Sequence, residues 1–229
     1  MQELIEDLTK QFVHLVSNTL AEEEATYNRL LPYHLIFQRI FKDVENNTSM
    51  LCERAKFGTE VFLSEMNHLE GEERDEINDV FEQLEKFHSG NLINHMTFSA
   101  KKSSIIHKMI SKLVDEQRLI EANDLTFFFL LLMPDSLLLW MTMGRIEQEL
   151  KHWHAAIAIY ERVNQLCEQN EPWVLLFLAD CYEQVGMRDQ AQETFERLTK
   201  KNLYSIFSIN SAFKMKFDAI KIKIQSLEE

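Results

Sequence analysis

The second half of the sequence repeats itself at an interval of 35 residues. Five residues recur at this spacing with similar sizes: Trp140, Met143, Gly144, Ala156 and Tyr160 correspond to Leu175, Leu178, Ala179, Ala191 and Phe195. Small residues let two helices approach closely, and the large residues around them fix the position of the neighbour. The interval therefore predicts two consecutive hairpins of α-helix.

The composition agrees with a wholly helical chain. Only 5 Gly and 3 Pro occur in 229 residues, which leaves few of the tight turns that a β-sandwich or barrel needs. A third, degenerate copy precedes the two strong ones, because Ala122 lies 34 residues before Ala156 and Pro134 stands where a helix pair would end. We predict an all-α chain in which an N-terminal helical module is followed by an α-solenoid of three helix pairs.

The repeated residues resemble the tetratricopeptide repeat. The segment Trp140-x-x-Met143-Gly144, followed by Ala156 and Tyr160, carries its large and small positions in order. Gly186 stands where that repeat turns between its helices, and Lys151 takes the same place one copy earlier. The resemblance implies a tetratricopeptide-like solenoid that binds other proteins on its concave side.

A more specific resemblance covers roughly residues 103–227. Glu171-Pro172 opens the last copy, Leu178-Ala179-Asp180-Cys181 lies inside it, and a lysine-rich helix closes the array. These features resemble the class II chaperones of type III secretion systems, which hold translocator proteins before export. The first hundred residues depart from that family, whose members have a shorter helical N-terminal part.

The solenoid geometry predicts which residues meet a partner. The first helix of each pair lines the inner curve, so its second, fifth, ninth, twelfth and thirteenth positions face a bound chain. The apolar members of this set would receive apolar side chains of an extended peptide, while Arg145 and Asp180 would bind its backbone or charges. Alternatively, Leu138 and Leu176 pack only against a neighbouring helix. The predicted peptide-binding residues are Leu138, Met141, Arg145, Gln148, Glu149, Trp173, Leu176, Asp180, Glu183 and Gln184.

The charge is divided unevenly along the chain. Residues 1–100 carry a net charge of −11 out of −13 for the whole chain. We therefore predict two domains, an acidic helical module over 1–100 and the solenoid over 101–229, although solvated helix faces alone also produce such a division. Apolar stripes beginning near Leu4, Tyr33, Met50 and Ile77 predict four helices in the module, which would form a bundle or an arm for dimerisation or interaction.

The last segment predicts a capping helix. Phe213, Phe217, Ile220, Ile224 and Leu227 fall on one helical face, which would cover the end of the solenoid with the lysines outward. The alternatives are that these lysines meet the acidic module or an anionic membrane surface.

No motif indicates catalysis or a cofactor. The sequence contains no phosphate-binding loop and no nucleophile elbow. On a helix, His152 and His154 would point about 200° apart, so a metal site is not predicted. Three cysteines with no paired spacing predict no disulfide framework. We predict that the protein is not an enzyme and has neither cofactor nor metal.

Charge and hydropathy also restrict the partners and the location. A net charge of −13 repels a phosphate backbone, so nucleic acid is not expected as a partner. The N-terminus is acidic, unlike a secretory signal, and Pro134 interrupts the apolar stretch 125–143 before it could cross a bilayer. The expected location is therefore the cytoplasm, without an integral membrane span.

Two functions follow from these observations. The first is a non-enzymatic protein-binding module, which holds a hydrophobic or extended segment of a type III export substrate in a chaperone-like manner. The alternative is a structural or regulatory scaffold that assembles a protein complex, and a homodimer formed through the first module is a further possibility.

Overall fold

The computed structural model describes residues 2–27, 38, 42, 46–86, 98–167, 171–201 and 203–225. These residues form helices and no strand, which confirms the all-α prediction. Three of the four helices predicted in the first hundred residues are present, and the one predicted from Tyr33 lies outside the described residues apart from positions 38 and 42. The helices are α1 Gln2–Tyr27, α2 Thr48–Met66, α3 Gly71–Lys86, α4 Ala100–Asp115, α5 Leu119–Leu132, α6 Leu137–Glu149, α7 Trp153–Leu166, α8 Pro172–Gln184, α9 Arg188–Thr199, α10 Tyr204–Ile209 and α11 Ser211–Gln225.

Contacts within the chain divide it into two compact units. The first unit is Met1–Ser136, with α1 to α5, and the second is Leu137–Glu229, with α6 to α11. The contacts thus place residues 101–136 with the first unit. The division into 1–100 and 101–229, which was drawn from charge, stays a prediction about the roles of the two parts.

Helix α5 explains why residues 101–136 belong to the first unit. Its residues 125–132 are all buried, so this helix has no polar face to turn toward water. Helix α2 is its most extensive neighbour, and α1 and α4 also pack against it. Between α2 and α5, the ring of Phe62 lies 5.2 Å from that of Phe129 in an edge-to-face arrangement. None of the helices described here is long and apolar enough to cross a bilayer.

The crossing of α2 and α5 requires the absence of a side chain at Gly58. A Cβ atom there would overlap the backbone carbonyl of Asp124 and lie 2.8 Å from the Cβ of Phe128. Next to this contact, Arg54 Nε donates a hydrogen bond of 3.0 Å to Asp124 Oδ1. The two backbones are therefore held close by both packing and a charged hydrogen bond.

The three predicted helix pairs turn in the same way. In each turn one residue has a left-handed φ: Gln117 (62°), Lys151 (63°) and Gly186 (74°). The following amide donates across the turn at 2.9 Å in all three pairs, from Arg118 to Leu113, from His152 to Glu147 and from Met187 to Tyr182. The turn residues are 34 and 35 positions apart, like the alanines of the sequence repeat. The prediction of three helix pairs is confirmed, including the degenerate first copy, α4–α5.

These turns predict opposite effects for two substitutions. Lys151→Gly should raise the free energy of unfolding by about 1 kcal/mol, because a non-glycine residue is strained at this φ. Gly186→Ala should lower it by about 1 kcal/mol for the same reason. A Cβ at Gly186 would meet nothing within 4 Å, so this cost is conformational and not steric. Urea unfolding of both variants measures the changes, and effects of equal sign would contradict this account of the turns.

A buried carboxylate connects α2 to the turn between α4 and α5. The side chain of Glu65 is only 2% exposed, and it accepts hydrogen bonds from Lys112 Nζ at 2.8 Å and from Arg118 Nη1 at 3.0 Å. Burial by itself raises the pKa of Glu65, but the hydrogen bonds and charges of these two bases outweigh it and leave the pKa lowered. The carboxylate is therefore stabilised in its charged form by the fold.

The lowered pKa predicts how stability depends on pH. The contribution of Glu65 is present above its ordinary pKa of 4.5 and is lost as the pH falls through the lowered value. Glu65→Gln should therefore lower the free energy of unfolding by about 1–3 kcal/mol at pH 7. The difference in this free energy between the variant and the parent should shrink below pH 4.5. Chemical unfolding across pH measures this difference. Glu60→Gln, at an exposed position of the same helix, is the control, and a difference that stays constant with pH would contradict the assignment.

Candidate functional site

The second unit is built around a close approach of α6 and α7. A Cβ atom at Gly144 would lie 2.6 Å from Cε1 of Tyr160, so the tyrosine ring lies directly against the backbone of α6. The ring is fully buried, and on its other side it stacks on Phe177 of α8 at 5.4 Å with an interplanar angle of 19°. Tyr160 thus fixes the mutual positions of three helices, at the small and large positions that the sequence repeat marked.

A polar bridge joins the first helices of the two strong copies. The hydroxyl of Tyr160 donates to Gln148 Oε1 at 3.2 Å, and Gln148 Nε2 donates to Asp180 Oδ2 at 2.6 Å. Gln148 lies on α6 and Asp180 on α8, so the two helices carrying the predicted peptide-binding residues are neighbours at this point. This is the arrangement that a shared inner surface requires.

The capping helix α11 contacts three of the five predicted peptide-binding residues of the last copy, Trp173, Asp180 and Glu183. The ring of Phe213 meets Trp173 edge to face at 4.5 Å. Lys216 Nζ donates to Asp180 Oδ2 at 2.6 Å, and Lys223 Nζ donates to Glu183 Oε2 at 3.2 Å. Asp180 therefore accepts hydrogen bonds from both α6 and α11.

These contacts belong to the permanent fold. Four apolar side chains of α11 are at most 8% exposed: Phe213, Phe217, Ile220 and Ile224. Burial of four such side chains contributes about 6–12 kcal/mol, which is comparable to the whole stability of a domain. A partner that displaced α11 would have to supply this free energy, so the helix is a fixed wall of the site. The predicted role of α11 as a cap, with its apolar face against α8 and α9, is confirmed.

Three of the four lysines of α11 are exposed, as predicted, and Lys216 is half-buried. Two of the four, Lys216 and Lys223, pair with acids of α8. Spacing does not separate the two pairs, because Lys214 and Lys221 flank the apolar stripe on one side and Lys216 and Lys223 flank it at similar angles on the other. What the sequence did not contain was the position of the carboxylates that they meet.

The ten predicted peptide-binding residues differ widely in accessibility. Leu138 is 52% exposed, and Arg145, Glu149 and Gln184 are also exposed. Five members are half-buried, namely Met141, Gln148, Trp173, Asp180 and Glu183.

The prediction for Leu176 needs correction, and Trp173 differs from it in burial. Leu176 is fully buried in the core of the second unit, so its side chain has no surface to offer a partner, and the alternative of packing against neighbouring helices applies. Trp173 is half-buried and packs against Phe177 at 5.5 Å as well as against Phe213.

The segment Leu178-Ala179-Asp180-Cys181 is explained by packing. Leu178, Ala179 and Cys181 are buried in the core of the second unit. Burial, and after it the charge of Asp180, raises the pKa of the Cys181 thiol to about 12. A protonated, buried thiol is a poor nucleophile and metal ligand. Cys52, Cys167 and Cys181 are all free cysteines.

The histidines near the second turn have a structural position. His152 precedes α7, directly after the left-handed residue Lys151. Its Nδ1 lies 2.8 Å from Oε2 of Glu147, at the end of α6. His152 therefore lies at the turn between α6 and α7, whereas His154 lies within α7.

Comparison with known proteins identifies the repeat. Residues 133–203 match the family model of the tetratricopeptide repeat, and this segment contains α6 to α9. A search of curated proteins and a search of solved structures each found no match. The match covers about a third of the chain and shows that this helical segment is similar to the tetratricopeptide repeat, a kind of repeat that generally mediates contacts between proteins.

The shared carboxylate predicts a measurable coupling between α8 and α11. The side chains of Lys216 and Asp180 are 33% and 13% exposed, so solvent screens their interaction only in part. A double-mutant cycle with Asp180→Asn and Lys216→Met should give a coupling of about 1 kcal/mol or more. The more exposed pair Glu183 and Lys223, varied in the same way, should give about 0.5 kcal/mol or less. Equal coupling energies in the two cycles would contradict the assignment of Asp180 as the residue that links α8 to α11.

Proposed function

We propose that this protein is a non-enzymatic protein-binding module whose tetratricopeptide segment holds an extended segment of a partner. The observation that carries the proposal is the hydrogen bond from Gln148 to Asp180, which joins α6 to α8 within the matched segment. Neighbouring first helices provide one continuous surface for an extended chain.

The accessible part of the predicted surface lies mainly on α6. Leu138 offers its exposed side chain, and Met141, which is half-buried, is unbranched and adapts to different shapes. Trp173 adds a half-buried aromatic edge on α8, the kind of residue that anchors protein interfaces. We propose these three residues as the apolar contacts, with Arg145, Glu149 and Gln184 at the rim.

The finer assignment is a chaperone that holds a translocator of a type III secretion system in the cytoplasm. It is supported by the lysine-rich helix that closes the repeats and by the exposed apolar side chain at Leu138. Such a chaperone should keep a hydrophobic segment of a translocator from aggregating, as measured by light scattering of the segment with and without the protein.

The alternative is a scaffold or adaptor. It is favoured by the division into two compact units, since each unit is able to present its own surface to a different partner. A homodimer formed through the first unit would be one form of this scaffold. Mass determination of the complex formed in cells distinguishes one client per chain from a larger assembly.

Site-specific crosslinking tests the proposed surface. A photoreactive amino acid at Leu138 should crosslink to a partner protein in the cells that produce the chain, because this exposed side chain lies on the proposed surface. The same amino acid at Gln190, an exposed position on the second helix of the last pair, is the matched control. Met141→Glu should reduce the crosslink at 138 at least about tenfold, since a charge would enter an apolar contact. Equal crosslinking at both positions, or none at 138, would count against the surface.

A further inference from the structure

The charged side chains around the proposed surface are paired with one another. Among the ten predicted residues, the carboxylates are Glu149, Asp180 and Glu183. Each has a base close by: Arg145 Nη2 lies 3.9 Å from Glu149, Lys216 Nζ 2.6 Å from Asp180, and Lys223 Nζ 3.2 Å from Glu183. These three acids and three bases balance one another, although the chain as a whole carries −13.

Of the three carboxylates, that of Asp180 makes the shortest hydrogen bonds. It accepts one hydrogen bond from the Gln148 amide and one from the Lys216 ammonium, both at 2.6 Å. The ammonium also lies 5.4 Å from the centre of the Phe177 ring, which favours its present position. A cationic group of a partner would have to replace a bond that the fold already makes, and would gain little by doing so.

The pair on α6 is weaker but balanced. The side chains of Arg145 and Glu149 are 59% and 42% exposed and lie one helical turn apart. An exposed pair of this kind is worth only a few tenths of a kcal/mol, and its opposite charges attract and repel a passing charge about equally. Neither sign of charge on a partner is therefore favoured.

Resting on the proposed function, we infer that the surface recognises an uncharged, apolar extended segment through Leu138, Met141 and Trp173, and that Lys216 and Lys223 set this preference by neutralising Asp180 and Glu183. The basic helix α11 thus determines specificity through the charges that it neutralises on α8. The sequence-based expectation that Asp180 binds the charges of a partner is replaced by this internal pairing.

Selection from a random library of 12-residue peptides displayed on phage tests the inference with the full chain. Peptides should be selected that are rich in apolar residues and poor in charged ones. Their dissociation constants should change less than about threefold between 50 and 500 mM NaCl, because no net charge of the site is screened. Enrichment of acidic or basic residues, or a change of threefold or more, would overturn the inference.

Variants of the neutralising lysines give a second, independent readout. Lys216→Met or Lys223→Met leaves one carboxylate without its base, so peptides selected on either variant should contain more Lys and Arg. These peptides should bind at least about threefold more weakly at 500 mM NaCl than at 50 mM NaCl. Lys214→Met, at an exposed position of the same helix, should leave the selection unchanged. If neither Lys216→Met nor Lys223→Met changes the selected peptides, the lysines do not set the preference.

The same experiment separates the two proposals. If the selected peptides bind equally well to a chain with Leu138→Glu and Met141→Glu, or if none is selected, the proposed surface itself is wrong. If binding requires those residues but prefers charged peptides, the proposed function stands and only the neutral specificity fails.

Discussion

The second unit depends on the packing of one buried ring, Tyr160, against a residue without a side chain, Gly144. The contact sets the distance between α6 and α7, and the stacking of the same ring on Phe177 transfers that position to α8. The tyrosine hydroxyl then reaches Gln148, whose amide bonds Asp180. One side chain thereby connects the apolar core to the polar bridge that aligns the two first helices. A similar constraint acts in the first unit, where Gly58 lets α2 approach the backbone of α5.

The repeat also explains how two kinds of turn residue serve the same geometry. Glycine occupies the left-handed position only in the last copy, whereas Gln117 and Lys151 take it in the others. The hydrogen bond across each turn is nevertheless the same length, 2.9 Å. The buried alanines Ala122, Ala156 and Ala191 follow each turn and give the second helix its close contact. Packing of the pair therefore tolerates the conformational strain of a non-glycine residue at the turn.

The structure changes the meaning of the charge pattern. The sequence shows a strongly acidic first part and a lysine-rich last helix, and attraction between these two was one natural expectation. Within the second unit, Lys216 and Lys223 pair with acids of α8. Within the first, Lys101, Lys102 and Lys108 of α4 pair with Glu72, Asp79 and Glu73 of α3. Charges are thus satisfied locally, by neighbouring helices. A net charge counted over a long segment says little about the potential at a particular surface.

The sequence by itself determined the helical fold, the interval of the repeat and the residues at which paired helices approach, because these depend on the order of small and large side chains along each helix. It left open whether Leu138 packs against a neighbouring helix, and the structure shows that this side chain is exposed. Only the tertiary structure decided that Leu176 is buried, that Trp173 is held by Phe213, and that Asp180 is occupied by Gln148 and Lys216. Helical periodicity fixes the side of a helix on which a residue lies, but the neighbour on that side comes from a distant part of the chain. The burial and the pairing of a side chain therefore follow from packing and not from its spacing in the sequence.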